Sequence, residues 1–255
     1  MVRLIGDSEL TASSVVANST MNRERGLSGV NSYARELGFD PAAWLREHGG
    51  TAPGWLDLCS GEGRALVEAA RVLPAGAGLT GVDLVGPLVP APTPPQVRLV
   101  PAALADWVPE RRYHLITCVH GLHYLGDQLG AIVRAVSWLT PDGRFAAHFD
   151  PASVRRPDGS SLERAVLAAL RAAGFGYRPR RHLLLFEGGG PVVLPFDYLG
   201  ADPAAGPNWT GQPAVGSYYG ARARAESPSS AESPSSAESP SSAEAPSGTE
   251  APSGR

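Results

Sequence analysis

Gly61 and Gly63 stand two positions apart, directly behind the apolar run 55–58 and ahead of a helical pattern with Leu66, Val67, Ala70 and Leu73 on one face. Glycines there leave no side chain between a ligand and the backbone amides that open the helix, an arrangement that nucleotide-type cofactors exploit. Asp57 lies near the end of the first strand-like run, and Asp83 ends the next one, 79–83. A carboxylate at the end of that second strand is well placed to accept hydrogen bonds from ribose hydroxyls. Three histidines, His120, His123 and His148, follow or end two later strand-like runs. Strand carboxyl ends in an open α/β sheet face the ligand crevice, and imidazole titrates near neutrality, so each of the three could take a proton from an acceptor. His120 is the first choice: it leaves its strand directly, and Gly121 beside it makes room for an acceptor.

Two cofactor classes could use such a loop. A dinucleotide site requires G-x-G-x-x-G, whereas Gly61-Glu-Gly63 is followed by Arg64, Ala65 and Leu66, so the third glycine is missing. Asp83 suits a ribose under either reading. The run LDLCSGEG at 56–63 resembles the D-x-G-x-G-x-G motif of class I S-adenosylmethionine (SAM) dependent methyltransferases, with Asp57 ahead of the glycines and Cys59 where the first glycine stands. A side chain at that position requires a backbone that does not demand positive φ at Cys59. The resemblance covers roughly residues 29–219. It takes in Leu122-His-Tyr-Leu125 and the turn LTPDGR at 139–144, which is similar to the L-x-P-G-G segment before the family's fifth strand.

That resemblance implies SAM as cofactor, held by Asp57, Cys59, Ser60, Gly61, Gly63, Asp83 and Val119, with Tyr33 contributed by a leading helix that covers the site. The adenine side is expected to be backbone and apolar, near 101–106. Residues 118–123, CVHGLH, lack the Asn/Asp, two prolines and aromatic of amino-methylating nucleic-acid enzymes, and also the metal-binding carboxylates of catechol-type O-methyltransferases. The implied enzyme is metal-independent, acts on a small-molecule or peptide acceptor, and belongs to secondary metabolism. The alternatives are a nicotinamide-dependent oxidoreductase, or a degenerate methyltransferase-fold binding module without activity.

The elements that must position these residues alternate. Helices over 30–38 and 42–48, the second capped by Asp40 with Pro41 at its first position, precede strand 55–58. Strands follow at 79–83, 97–100, 113–119 and 144–149, with helices at 63–73, 128–139 and 161–173. The prolines of 86–95 exclude a helix interior from the second crossover. Runs 181–187 and 192–198, separated by Gly188, Gly189 and Gly190, read as an antiparallel hairpin. The fold class is therefore α/β: a Rossmann-like doubly wound sheet of about seven strands with a terminal antiparallel hairpin and helices on both faces. Segment 200–219 reads first as a surface loop packing its aromatics on a sheet edge, and second as a substrate-facing lid using Asn208, Trp209, Thr210, Gln212, Tyr218 and Tyr219.

Composition sets the outer limits. A chain of 255 residues with 43% apolar content builds one large α/β domain. The division expected is a flexible extension over 1–24, a methyltransferase domain over 25–220 and a disordered Ser/Pro/Glu-rich tail over 221–255. Met21 is an alternative start. The net charge of -3 gives no electrostatic grip on nucleic acid. All 22 basic residues are arginine, which excludes a Walker A lysine and a Schiff-base lysine. Cys59 and Cys118 lack partners at metal or disulfide spacing. No apolar run is long enough for a membrane span, and 1–20 lacks the features of a signal peptide, so a cytoplasmic location is expected.

Overall fold

The computed structural model describes residues 3–17, 24–85 and 93–222. Strand β1 (Gly54–Leu58) is buried at every position, as the apolar run demands of a central parallel strand. It lies between β2 (Gly78–Asp83) and β4 (Tyr113–Cys118), and β3 (Val97–Pro101) flanks β2. On the other side come β5 (Leu139–His148), then β8 (Leu183–Glu187) and β7 (Gly176–Arg178), giving the seven-stranded order β3-β2-β1-β4-β5-β8-β7. The first five strands are parallel, while β8 runs antiparallel to both β5 and β7.

Helices cover both faces. One core gathers Trp55, Leu66 and Leu115 beneath α3 (Tyr33–Leu37), α4 (Pro41–His48) and α5 (Arg64–Ala70). The other gathers Leu58, Ile116 and Phe145 beneath α6 (Gln128–Ser137) and α7 (Glu163–Ala172). Asp40 caps α4 by accepting from the Ala42 and Ala43 amides, with Pro41 at the first position.

Several sequence expectations change. The terminal hairpin is present, but its strands are β7 and β8 joined across Pro179–Arg181, not 181–187 with 192–198. Gly188 and Gly189 donate back to the carbonyls of Gly143 and Pro141 instead of turning the chain onto itself. Strand β9 (Phe196–Asp202) then enters a second sheet, between no strands of the first, with β10 (Gly216–Ala221) and β6 (Val154–Arg155) in the order β6-β10-β9. Tyr219 of β10 is buried; its hydroxyl donates to Asp127 and accepts from the Leu129 amide, tying this sheet to the start of α6. Pro141-Asp142-Gly143 falls inside the long β5, where the β4 register shifts, and so forms an irregularity in a strand instead of the turn before it.

The described part of the N-terminal extension is folded. Ile5 bridges Ala201 of β9, and α1 (Asp7–Thr11) and α2 (Ser14–Ala17) bring Leu10 into a small apolar cluster with Val215. Apolar residues too sparse to show a period alone are enough when a sheet edge receives them. Met21, most of the proline run and the C-terminal tail lie outside the described residues.

Candidate functional site

β1 ends on Leu58, and the loop behind it is held from three sides. Cys59 adopts φ 55, Gly61 φ 59 and Gly63 φ 69, all left-handed. The expectation that Cys59 avoids positive φ is therefore wrong: the turn demands it, and a non-glycine residue there stores about 1 to 3 kcal/mol of strain. Close packing makes the turn tight, since a Cβ on Gly121 would sit 2.4 Å from Cys59 Cβ. Hydrogen bonding to Cys118 and burial push the Cys59 thiol well up, so it is no thiolate nucleophile.

Ser60 and Gly61 open onto a cavity bounded by Asp83, Val119 and Tyr33. Asp83 accepts from the Gly61 amide at 2.9 Å and from the Val85 amide at 3.0 Å, which locks the loop to the end of β2. Ala102, Ala103 and Leu104 supply an apolar wall after β3, and Leu10 of the N-terminal segment also lines the cavity. Asp106 is not part of this wall. These residues fit SAM: a carboxylate beside a glycine loop for ribose hydroxyls, and an apolar slot for a planar base.

Two of the expected cofactor residues stand elsewhere. Asp57 is completely buried and is not among the residues lining this cavity; its oxygens accept from Tyr33 Oη and Thr117 Oγ1, each at 2.6 Å, while Trp55 Nε1 donates to Thr117 Oγ1. Burial pushes its carboxyl up to about 7, against the pull of the two hydroxyls. Asp57 thus braces Tyr33 from behind. Gly63 also faces away, and a Cβ there would meet Leu99 Cδ2 at 2.4 Å, so its role is packing.

The histidines divide. His120, at φ 56, lines this cavity and also a second cavity of about 550 Å³. Its Nε2 lies 3.1 Å from Glu36 Oε2, and its ring stacks on His148 at 4.1 Å. His148 Nε2 is 3.6 Å from the same oxygen, and Arg25 Nη1 donates to Glu36 Oε1 at 2.7 Å. The hydrogen bond from His120, then the nearby positive charges, hold the Glu36 carboxyl down near 2 despite partial burial, so it is ionised at neutral pH. Burial drives His148 down to about 3, so that ring is neutral. His120 Nε2 pairs with Glu36, while its Nδ1 is buried and engages no group among the described residues. His123 lines neither cavity; it is buried against Tyr124, with both ring nitrogens unpartnered among the described residues and its titration pushed down to about 3 by burial.

Glu36, His120 and His148 each offer one ligand atom, all within 4.8 Å of one another, and two imidazoles with a carboxylate are a donor set that divalent metals accept. Arg25 already holds the second carboxylate oxygen, and among the described residues no acceptor faces the Nδ1 atoms of the two histidines to orient a metal-bound ring.

Sequence reasoning missed Glu36, Arg25, Arg180 and Arg181, which line the second cavity with Trp209 and Gln212. Glu36 is one helical turn beyond Tyr33 on α3, a spacing that could have suggested a shared face. Trp209 stacks on His182 at 4.3 Å with 8° between planes and lies 5.9 Å from His120. Asn208 Oδ1 accepts from Thr210 and Gln212 amides and fixes this loop. Segment 200–219 therefore both lines a cavity and, through Tyr219, packs on the core.

The chain resembles solved methyltransferases at low identity. The Burkholderia thailandensis 1,6-didemethyltoxoflavin-N1-methyltransferase is 20% identical with a TM-score of 0.43, over 74% of this chain and 93% of that one. The plantazolicin methyltransferase BpumL is 14% identical with a TM-score of 0.37, over 42% of each chain. CalS10, an amino pentose methyltransferase from Micromonospora echinaspora, is 22% identical with a TM-score of 0.36, over 51% of this chain and 54% of its own. The chain thus spans only about half or less of the latter two. No curated protein matches it. Residues 33–183, more than half of the chain, match the family model described as a methyltransferase domain, and the chain belongs to that family, the class I SAM-dependent methyltransferases.

Proposed function

We propose that the protein transfers the methyl group of SAM to a small-molecule or peptide acceptor held in the second cavity, without a metal. The observation that carries this reading is the junction: Arg25, His120 and Gln212 line both cavities, so a donor on one side and an acceptor on the other meet beside His120. When bound, SAM supplies an electrophilic methyl on a sulfonium centre. Ser60, Gly61, Asp83, Val119 and Tyr33 hold it, Cys59 shapes the loop, and Asp57 and Gly63 keep Tyr33 and the helix start in place. His120, at the junction, takes the proton from the acceptor as its atom becomes nucleophilic, and ionised Glu36 beside its Nε2 stabilises the imidazolium that results. His148 stacks against His120 and fixes its plane. Much of the rate comes from holding the acceptor in line, which Trp209 and Gln212 support by walling the cavity.

No helix among the described residues is long and apolar enough to cross a membrane. The two cysteines are free, which supports a cytoplasmic setting, and the lack of basic excess supports an acceptor other than nucleic acid. The acceptor is to be found by mass spectrometric screening of metabolites and peptides with labelled SAM. With it in hand, His120→Ala keeps SAM affinity and loses about 10² to 10⁴ in turnover, the contribution of a positioned base. Normal turnover in that variant refutes the base assignment.

A further inference from the structure

The second cavity has an unusual charge. Arg25, Arg35, Arg180 and Arg181 line it, and Glu36 is its one carboxylate. Arg25 and Glu36 neutralise each other at 2.7 Å. Three guanidinium groups are left over in a chain whose net charge is -3. Arg35, Arg180 and Arg181 have no carboxylate within 4.0 Å among the described residues, and what sets them apart from other unpaired arginines such as Arg46 and Arg171 is that all three line one cavity. Among the described residues the Arg35 side chain donates only to the Val30 carbonyl at 3.3 Å, and that of Arg181 only to the Arg35 carbonyl at 3.0 Å, so most of their N–H groups are available.

The fold holds these like charges together. Arg180 and Arg181 sit in the turn Pro179–Arg181, where proline starts the turn and His182 ends it at φ 48. The stack of His182 on Trp209 pins the turn to the cavity wall, and the Arg181 bond to Arg35 ties it to α3. Clustering guanidinium groups costs electrostatic energy that an anion offsets, and their planar N–H forks match carboxylate and phosphate oxygens two at a time. The cavity, at about 550 Å³, is of the size that takes a small organic ligand.

We propose that the methyl acceptor carries an oxyanion, a carboxylate or a phosphate, and that Arg35, Arg180 and Arg181 bind it. The inference rests on the reading of this cavity as the acceptor site. These three arginines line only the second cavity, so an acceptor anchored on them extends its other end toward the junction at His120.

The test is calorimetric and needs no turnover. The full chain, first titrated with S-adenosylhomocysteine, is then titrated with inorganic pyrophosphate in one arm and phthalate in the other. Binding of either probe is expected, and the stronger arm identifies the anion type. In Arg180→Gln/Arg181→Gln, and separately in Arg35→Gln, probe affinity falls at least about tenfold while S-adenosylhomocysteine affinity stays unchanged. Once the acceptor is known, the same variants raise KM with little change in kcat. Absence of heat from both probes in the wild-type chain, or equal affinity in the variants, overturns the inference. Tighter binding of a DNA or RNA oligonucleotide than of either probe overturns it as well. Absence of the S-adenosylhomocysteine heat instead strikes the methyltransferase reading itself, so the two failures are separate.

Discussion

Replacing Asp57 with asparagine isolates the electrostatic conflict behind Tyr33. The carboxyl is completely buried, and only two hydroxyl donors, Tyr33 and Thr117, oppose the cost of ionising it. Burial wins, raising it from 3.8 to about 7. Between those values the folded state holds a proton that the unfolded chain has shed, so raising the pH favours unfolding by about 1.4 kcal/mol per pH unit. The stability that is intact below pH 3.8 is lost progressively up to about pH 7, a total of roughly 4 kcal/mol. Asp57→Asn keeps the shape and cannot ionise, so its curve lacks this decline. Urea unfolding of the cofactor-free chain from pH 4.5 to 8.5 should show the variant gaining most of that difference on wild type as pH rises. Tyr33→Phe, which removes one hydroxyl, should instead lose about 1 to 3 kcal/mol, chiefly at the alkaline end where the carboxylate needs it. Parallel curves for wild type and Asp57→Asn would refute the reasoning and mean that the two hydroxyls keep Asp57 ionised in its buried position.

Asp83→Ala should lower SAM affinity by about 1.5 to 3 kcal/mol through lost charge-assisted hydrogen bonds, both to the ribose and to the Gly61 amide that shapes the loop. Unaltered calorimetric affinity in the folded variant would remove Asp83 from the site. Exhaustive dialysis against EDTA should leave turnover unchanged, because Glu36 is satisfied by Arg25 and His120. A stoichiometric cation found by elemental analysis, whose removal abolishes activity, would reassign Glu36, His120 and His148 as its ligands.

The sequence by itself determined the parts whose cause is local. An apolar run followed by spaced glycines makes β1, the loop and α5, because strand burial and left-handed turns are decided within a few residues. Asp40 and Pro41 start α4 for the same reason, and Asp83 reaches the loop because parallel β1 and β2 end side by side. Cys59 marks the limit of local reasoning: its residue type argued against a left-handed backbone, and packing against Gly121 and Cys118 imposed one. The tertiary structure alone decided which strands pair with β5 and that the chain builds a second sheet, since hydrophobic alternation does not name a strand's neighbour. It alone turned Asp57 away from the cavity, through hydroxyls on Tyr33 and on Thr117, 60 residues away. It alone brought Glu36 to His120 across 84 residues and set Arg35, Arg180 and Arg181 around the same space. Those contacts depend on where α3 and the 179–181 turn dock on the sheet, and docking is governed by the summed burial of whole faces, which no short stretch of sequence encodes.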